Sequence, residues 1–152
     1  MSEYIMDLRK IVGHRTLIQC GAGVIIVNNA GEILLGRRAD NQLWGYFGGS
    51  VEIDEKVENC AKRELLEETG LIADELSFFT VNSGADVHYT YPNGDEVSNI
   101  EIVYLCNQFH GEMIAQKEEF EELKFFKPSE IDIDMISPPL RPSIKKYLEA
   151  IK

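Results

Sequence analysis

The sequence from Gly49 to Leu71, GSVEIDEKVENCAKRELLEETGL, decides how the rest of the chain is interpreted. Asp54 is a favoured N-terminal cap of a helix, and Gly70 is the favoured residue just beyond a helix C-terminus. These two signals predict a helix from Glu55 to Thr69. The acidic residues of this helix carry the functional signal.

Three glutamates of the predicted helix share one face. Glu64, Glu67 and Glu68 stand at positions i, i+3 and i+4, which a helix places on the same side. The same direction is shared by three earlier residues, Val57, Cys60 and Ala61. The opposite side holds Glu58, Asn59 and Lys62. Because the small, apolar face continues as carboxylates, we expect it to enter the protein and to line a cleft with its last turns.

A bound cation would explain this carboxylate face. The three carboxylates repel one another at this spacing, and removal from water strengthens the repulsion. Oxygen ligands without His or Cys suit Mg²⁺ or Mn²⁺. The alternative is a surface helix with ordinary acidic residues, since glutamate is a common helix former. Arg63 has two interpretations as well: an exposed ion pair with Glu67, or a residue that holds a glutamate in place.

The stretch resembles the Nudix box, the signature of the Nudix hydrolase (MutT-like) superfamily. The nine matching positions are Gly49, Glu55, Arg63, Glu64, Leu65, Glu67, Glu68, Gly70 and Leu71. The LLGRR segment, the loop from Trp44 to Gly49 and a late acidic loop also resemble family members. Two positions depart from the usual pattern, Phe47 in place of proline and Asp54 in place of glycine, and neither is an expected ligand.

The resemblance implies the fold, the metal site and the reaction. The fold would be α/β, a Nudix-type α/β/α sandwich around a mixed β-sheet, with residues 1–152 as a single domain and the box at 49–71. Glu64, Glu67, Glu68 and the Gly48 carbonyl would bind Mg²⁺, or Mn²⁺ in its place. Glu55 and Arg63 would support these ligands. The reaction would be Mg²⁺-dependent hydrolysis of the phosphoanhydride of a nucleoside diphosphate linked to another moiety.

A further glutamate is expected from the late acidic loop. Family members use such a residue as a metal ligand or a base, and the candidates here are Glu118, Glu119, Glu121 and Glu122. We favour Glu119, with Glu122 next. The predicted catalytic residues are therefore Glu67, Glu68, Glu119 and Arg63.

Four residues near the expected cleft are candidates for substrate binding. Arg37 and Arg38 end a predicted strand and could contact phosphate, or they could be solvated at the strand end. Trp44 and Tyr46 could stack on a base, or they could pack in the core.

Gly21 and Gly23 form no nucleotide-binding fingerprint because no helix follows them, so GAG is interpreted as part of a strand.

The remaining elements are predicted from hydrophobic patterns and turn residues. Strands are expected at 21–27, 32–37, 76–82, 88–91, 97–109 and 123–126, the first two as a hairpin, with an extended piece at 51–53 and an acidic loop at 116–122. Residues 2–12 would be a helix or an arm. Pro138, Pro139 and Pro142 would open a last helix that ends near Ile151.

Composition limits the partners. The net charge of −11 over 152 residues disfavours long nucleic acid. No stretch resembles a signal peptide or a membrane span, and the three cysteines are expected as buried free thiols. We therefore expect a cytoplasmic protein. The resemblance implies a small nucleotide substrate and is consistent with a homodimer.

Three functions remain open from the sequence. The first is hydrolysis of ADP-ribose or a nucleotide sugar, of a nucleoside triphosphate, or of a dinucleoside polyphosphate. The second is a non-catalytic nucleotide sensor with a Nudix fold. The third is RNA end processing, which the lack of a basic cluster disfavours.

Overall fold

The computed structural model describes residues 3–152 as an α/β fold. The helices are α1 Glu3–Val12, α2 Val57–Thr69 and α3 Arg141–Ala150. The strands are β1 Leu17–Ile26, β2 Ile33–Arg38, β3 Trp44–Gly45, β4 Phe47–Ser50, β5 Leu71–Asn82, β6 His88–Thr90, β7 Glu96–Gly111 and β8 Phe120–Phe126. Helix α1 corresponds to the predicted N-terminal helix, of which Ser2 lies outside the described residues.

The strands form two sheets. The larger sheet has the order β4-β1-β7-β5, and β6 also pairs with β7. It is mixed, because β1 and β7 run parallel whereas the other pairs run antiparallel. The smaller sheet, β3-β2-β8, is antiparallel. The predicted fold class, helices packed around a mixed sheet, is confirmed.

Strand β1 divides the core into two halves. Its successive side chains point to opposite faces of the sheet. Ala22, Val24 and Ile26 belong to the core that contains the buried face of α2. Ile25 belongs to the core that contains Ile144 of α3. One helix therefore covers each face of the sheet around β1.

The predicted hairpin of the first two strands is wrong. Strands β1 and β2 lie in different sheets. An isolated antiparallel bridge, Val27 with Ile33, and a turn hydrogen bond from Asn28 N–H to the Glu32 carbonyl join their adjoining ends. The reason is that both edges of β1 are already used, since β4 pairs with one edge and β7 with the other. The β4 pairing ends at Val24, so a hairpin partner could pair with no more of β1 than Ile25 and Ile26.

Several strand boundaries also differ from the prediction. Strand β5 begins at Leu71, five residues early, and the expected loop before Gly49 contains β3 and most of β4, so that the extended piece lies before residues 51–53. Strand β1 begins at Leu17, four residues before the predicted start. The prediction missed these residues because they alternate between half-buried and exposed positions and lack a continuous apolar run. Strand β8 begins at Phe120, inside the predicted acidic loop. Phe120 is fully buried and packs edge-to-face on Phe47 at a centroid distance of 5.3 Å. This contact extends the strand toward the cleft.

Helix α2 starts two residues later than predicted, and Asp54 does not cap it. The cap position is Lys56, which makes no side-chain capping bond, and Asp54 has a left-handed backbone with φ of 61°. Glu55 instead closes a turn, its amide donating to the Glu52 carbonyl at 3.1 Å. Gly70 ends the helix as predicted, with φ of 76° and its N–H donating to the Leu66 carbonyl.

The prediction of buried free thiols is confirmed for two of the three cysteines. All three cysteines are free, and Cys60 and Cys106 are buried. Cys20 is exposed, because it lies on the alternating first half of β1.

We expect Ile144→Ala to lower the free energy of unfolding by about 2–5 kcal/mol, because Ile144 is fully buried and truncation leaves a cavity under α3. Urea denaturation measures the change. Lys145→Ala on the exposed side of the same helix is the control and should change stability by less than about 0.5 kcal/mol. Equal effects of the two substitutions would contradict this packing of α3.

Candidate active site

The carboxylate face of α2 enters the protein, as predicted, for two of its three glutamates. Glu64 and Glu68 are buried, with 7% and 3% exposure. The Glu67 side chain is 51% exposed. The buried side of α2 faces the direction shared by Ala61 and Glu68, and Glu67 lies at the edge of this side.

Glu68 is anchored to strand β4. The Gly48 amide donates a hydrogen bond to Glu68 Oε1 at 2.9 Å. In the β1–β4 pairing, Val51 N–H donates to the Cys20 carbonyl. Because hydrogen-bonded and non-hydrogen-bonded pairs alternate along antiparallel strands, the amide and the carbonyl of Gly48 both point away from β1. The Gly48 carbonyl therefore lies on the same open edge as its amide, which is where the predicted metal ligand must lie.

Glu64 lies directly against Gly49. A Cβ atom at Gly49 would overlap the Glu64 carboxyl group, so any other residue there would have to displace this carboxyl group. The small residue and the buried carboxylate thus depend on each other. This contact explains why the first position of the box is a glycine.

Arg63 holds the glutamates in place. Its guanidinium donates to both oxygens of Glu55, at 2.8 and 3.0 Å, and to Glu64 Oε1 at 2.9 Å. It also donates to the Ser50 carbonyl at 3.3 Å, and its distance to Glu67 is 3.5 Å. The hydrogen bonds from Arg63 lower the pKa of Glu55 to about 2. The geometry favours the supporting role of Arg63 over an exposed pair with Glu67.

The two buried glutamates have raised pKa values. Burial raises the pKa of Glu68 most, and the nearby charges of Glu119 and Glu64 raise it further. Burial also raises the pKa of Glu64, against the opposing effect of Arg63. Two carboxylates that are desolvated and repel each other are stabilised by a cation.

The donor chemistry of the site fits a hard divalent cation, but the ligands are not gathered. Among residues 3–152, no three His, Cys, Asp or Glu side chains form a group that could hold a metal. Glu64 is held by Arg63, Glu68 by Gly48, and Glu67 lies half-exposed at the edge. The carboxylate and carbonyl oxygens present are those that Mg²⁺ and Mn²⁺ prefer.

The late loop brings one acidic residue to Glu68. Glu119 interacts with Glu68 closely enough to raise its pKa, and Glu118 lines the same cavity. Glu121 instead pairs with Arg37 at 3.3 Å, and Glu122 lies opposite Arg37 on β8. The structure therefore favours Glu119 over Glu122.

Backbone hydrogen bonds fasten this loop to the end of α2. Ile114 N–H donates to the Thr69 carbonyl at 2.8 Å, and Gln116 N–H donates to the Glu68 carbonyl at 3.2 Å. These carbonyls belong to the last turn of the helix, which has no partners of its own for them. The loop thereby satisfies the helix end and places Glu119 beside Glu68.

Two cavities adjoin at this site. The larger, about 1150 Å³ of empty space open to solvent, is the carboxylate cavity and contains Glu64, Glu68, Glu118 and Glu119. The smaller, about 660 Å³, is the aromatic cavity, and its lining side chains include Gln19, Tyr46, Tyr89, Tyr91, Asn99 and Glu101. Six residues line both cavities: Gln19, Arg38, Gly48, Gly49, Glu68 and Tyr91.

The four predicted substrate residues are divided by the structure. Arg38 lines both cavities, paired with Asp40 at 2.8 Å, and Tyr46 lines the aromatic cavity. Arg37 pairs with Glu121 and lines neither cavity. Trp44 packs edge-to-face on Phe126 at 4.8 Å in the core under α3. For Trp44 the packing alternative is favoured.

Sequence reasoning missed most of the aromatic cavity. Tyr89 and Tyr91 line it, although a short strand beside a turn gives no sign of a binding site. Glu101 belongs to no motif in the sequence, since it is a single acidic residue between apolar residues of β7. The available signal was the pair Gly21 and Gly23 inside an apolar strand, where glycine marks a close approach.

Comparison with known proteins identifies the family. The family model described as "NUDIX domain" matches residues 18–149, most of the chain. The fold and the site define a Nudix-type hydrolase domain. The chain belongs to the Nudix hydrolase family, and the predicted family is confirmed.

Three curated relatives illustrate the range of the family. The chain is 30% identical over 115 residues to nucleoside triphosphatase NudI of Salmonella agona (strain SL483), covering 70% of this chain and 80% of that one. It is 29% identical over 116 residues to oxidized purine nucleoside triphosphate hydrolase of Danio rerio, covering 74% and 66%. It is 36% identical over 62 residues to RNA pyrophosphohydrolase of Pseudomonas putida (strain GB-1), covering 41% and 39%. The match therefore spans less than two thirds of the last two proteins.

Solved structures support the fold. A MutT NUDIX hydrolase from Burkholderia pseudomallei superposes with a TM-score of 0.67 at 28% identity, covering 90% of this chain and 99% of that one. A MutT protein from Methanosarcina mazei Go1 has a TM-score of 0.68 at 20% identity, covering 91% and 98%. Within the described residues 3–152, no helix has both the length and the apolar character needed to cross a membrane.

We expect Glu55→Gln to lower the free energy of unfolding by about 1–3 kcal/mol at pH 7, because Arg63 loses its charged acceptor. The folded pKa of Glu55, about 2, lies below the ordinary value of 4.5. Its stabilisation is therefore complete above about pH 4.5 and is lost as the pH falls toward 2.

Urea denaturation at pH 7, 5 and 3.5 tests this expectation. The difference between wild type and variant should shrink at the lowest pH. Glu149→Gln, an exposed position on α3, is the control and should show no such difference. A Glu55→Gln effect that is independent of pH would argue against the Arg63 pairing as its source.

Proposed function

We propose that this chain hydrolyses the phosphoanhydride of a small nucleotide, in a reaction that depends on Mg²⁺, or on Mn²⁺ in its place. The observation that carries the proposal is the junction of the two cavities. Buried carboxylates suited to a cation line one cavity, and aromatic and amide side chains suited to a nucleoside line the other. A nucleotide needs both environments side by side.

Glu64, Glu67, Glu68 and the Gly48 carbonyl would hold the metal. Bound Mg²⁺ supplies charge neutralisation for the phosphate oxygens and activates water for attack on phosphorus. Glu67 would have to turn inward from its half-exposed position to join the other ligands. Arg63 positions Glu64 through its hydrogen bond, so it acts through that residue.

Two other residues contribute directly to the reaction. Arg38 lies between the cavities, where its guanidinium suits the diphosphate of the substrate. Glu119 lies beside Glu68 at the carboxylate cavity and would accept the proton of the attacking water.

Nucleoside triphosphates are favoured over nucleotide sugars as substrates. Two relatives are named as a nucleoside triphosphatase and an oxidized purine nucleoside triphosphate hydrolase, and they align over at least 70% of this chain. Long RNA is disfavoured by the net charge of −11, although one relative is named as an RNA pyrophosphohydrolase. A cytoplasmic location and a homodimer remain predictions, the second to be tested by gel filtration.

A substrate screen with purified protein tests the reaction class. The screen uses Mg²⁺ or Mn²⁺ with nucleoside triphosphates (oxidised guanine forms included), ADP-ribose, nucleotide sugars and dinucleoside polyphosphates, with products separated by chromatography. We expect metal-dependent turnover that is highest for one or more triphosphates. Nucleotide binding without turnover of any compound would instead support the sensor function.

We expect Glu68→Gln to lower kcat by about 10²–10⁴-fold, because several kcal/mol of charge stabilisation depend on this ligand. Glu58→Gln, on the solvent side of α2, is the matched control and should keep kcat near the wild-type value. Circular dichroism checks that both variants fold. Near-normal kcat in folded Glu68→Gln would contradict the assignment of Glu68.

A further inference from the structure

The aromatic cavity contains a carboxylate with no partner. Glu101 lies on β7, opposite Gly21 of β1, and no hydrogen bond or ion pair joins its side chain to another residue among 3–152. Within that range, Arg37 Nε is the buried side-chain nitrogen or oxygen atom that lacks a partner. The oxygens of Glu101 are therefore still accessible, and the space that they reach is the aromatic cavity.

Two glycines make room for this carboxylate. A Cβ atom at Gly21 would lie 2.8 Å from Glu101 Oε2, and a Cβ atom at Gly23 would lie 2.8 Å from Glu101 Oε1. Both oxygens thus rest over the bare backbone of β1. Glycine weakens a strand interior, and here it allows the close approach of a charged group. Any other residue at either position would have to displace the carboxylate.

Three of the neighbouring donors are engaged elsewhere. The Tyr46 hydroxyl donates to Ser143 Oγ at 3.2 Å, and Asn99 Nδ2 donates to the Val87 carbonyl at 2.9 Å. Gln19 Nε2 donates to Ser50 Oγ. Because burial acts without a compensating donor, it raises the pKa of Glu101 to about 7. The acceptor capacity of Glu101 remains available to a ligand in the cavity.

We propose that Glu101 determines base specificity by accepting two hydrogen bonds from adjacent N–H donors of a guanine-type base. A carboxylate is an acceptor with two oxygens, so it matches an edge with two neighbouring donors. Guanine presents such an edge through N1–H and its exocyclic amino group, and oxidised guanine keeps it. Adenine and cytosine present a donor beside an acceptor, which leaves one carboxylate oxygen unmatched.

The position of Glu101 agrees with this assignment. The aromatic cavity adjoins the carboxylate cavity along Gly48, Gly49 and Glu68, so a base at Glu101 leaves its phosphates directed toward the carboxylates. Tyr46 and Tyr91 supply aromatic surface for the base. The inference rests on the proposed nucleotide hydrolysis and adds the base that the site selects.

The test compares guanine and adenine nucleotides in wild type and Glu101→Gln. A glutamine offers one acceptor and one donor, so it fails to match guanine. We expect the ratio of kcat/KM for GTP to that for ATP to fall by about 10–100-fold, the range for loss of one bidentate base contact. Glu75→Gln, an exposed carboxylate on β5, is the control and should leave the ratio unchanged.

Gly21→Ala provides a second variant. Its methyl group should displace Glu101 Oε2 and lower the same ratio without removal of the carboxylate. Wild type that does not prefer guanine, or a ratio unchanged in both folded variants, would overturn the proposal while nucleotide hydrolysis stands.

Calorimetric binding of GMP and AMP separates this proposal from the proposed function. If no nucleotide is hydrolysed but GMP binds at least tenfold more tightly than AMP and Glu101→Gln abolishes the difference, the base assignment holds and hydrolysis fails. Equal binding of the two monophosphates by wild type would overturn the base assignment, whatever the catalytic result.

Discussion

The contacts of Arg63 are the constraint on which the site depends. A single guanidinium joins the segment before α2, through Glu55 and the Ser50 carbonyl, to the helix itself, through Glu64. Without this cation, two carboxylates and a carbonyl would face one another with no donor between them. The pairing fixes the start of α2 relative to β4. The approach of Glu64 to Gly49 and the bond from Gly48 to Glu68 follow from that placement.

Strand β1 supports both the carboxylate cavity and the aromatic cavity. One of its faces is apolar and supports α2, which supplies the carboxylates. The other face carries Gly21 and Gly23, which leave space for Glu101. Because successive side chains alternate between faces, a single short sequence can meet both demands. The open edge of β4 then connects the two environments, through Gly48 and Gly49.

The sequence predicted the parts of this molecule that depend on local patterns. The helix with buried glutamates, its glycine stop and the family follow from residue spacing between Gly49 and Leu71. The aromatic cavity was not predicted, because Glu101 and Tyr91 come close to β1 only through strand pairing over long sequence distances. The false hairpin has the same origin, since turn residues indicate a reversal of the chain but not which edges are free.

Capping assignments fail for a related reason. Asp54 has a side chain suited to a helix cap. The backbone conformation at Asp54 is instead determined by the turn from Glu52 to Glu55 and by the hydrogen bond from Arg63 to Glu55. A stronger tertiary contact overrides a local preference worth about 1 kcal/mol. Trp44 shows the same limit, because its neighbours in sequence line the cleft while its ring packs in the core.

The fastening of the late loop to the end of α2 has a consequence for how this protein can diverge. Amides of Ile114 and Gln116 bind the last carbonyls of the helix, so the segment that carries Glu119 moves with Glu68 as one body. The segment is held on its other side as well, because Gly111 of β7 pairs with Leu71 directly after the helix. Residues added or deleted between Gly111 and Glu119 would therefore shift Glu119 relative to Glu68, so we expect this part of the chain to keep its length over evolution.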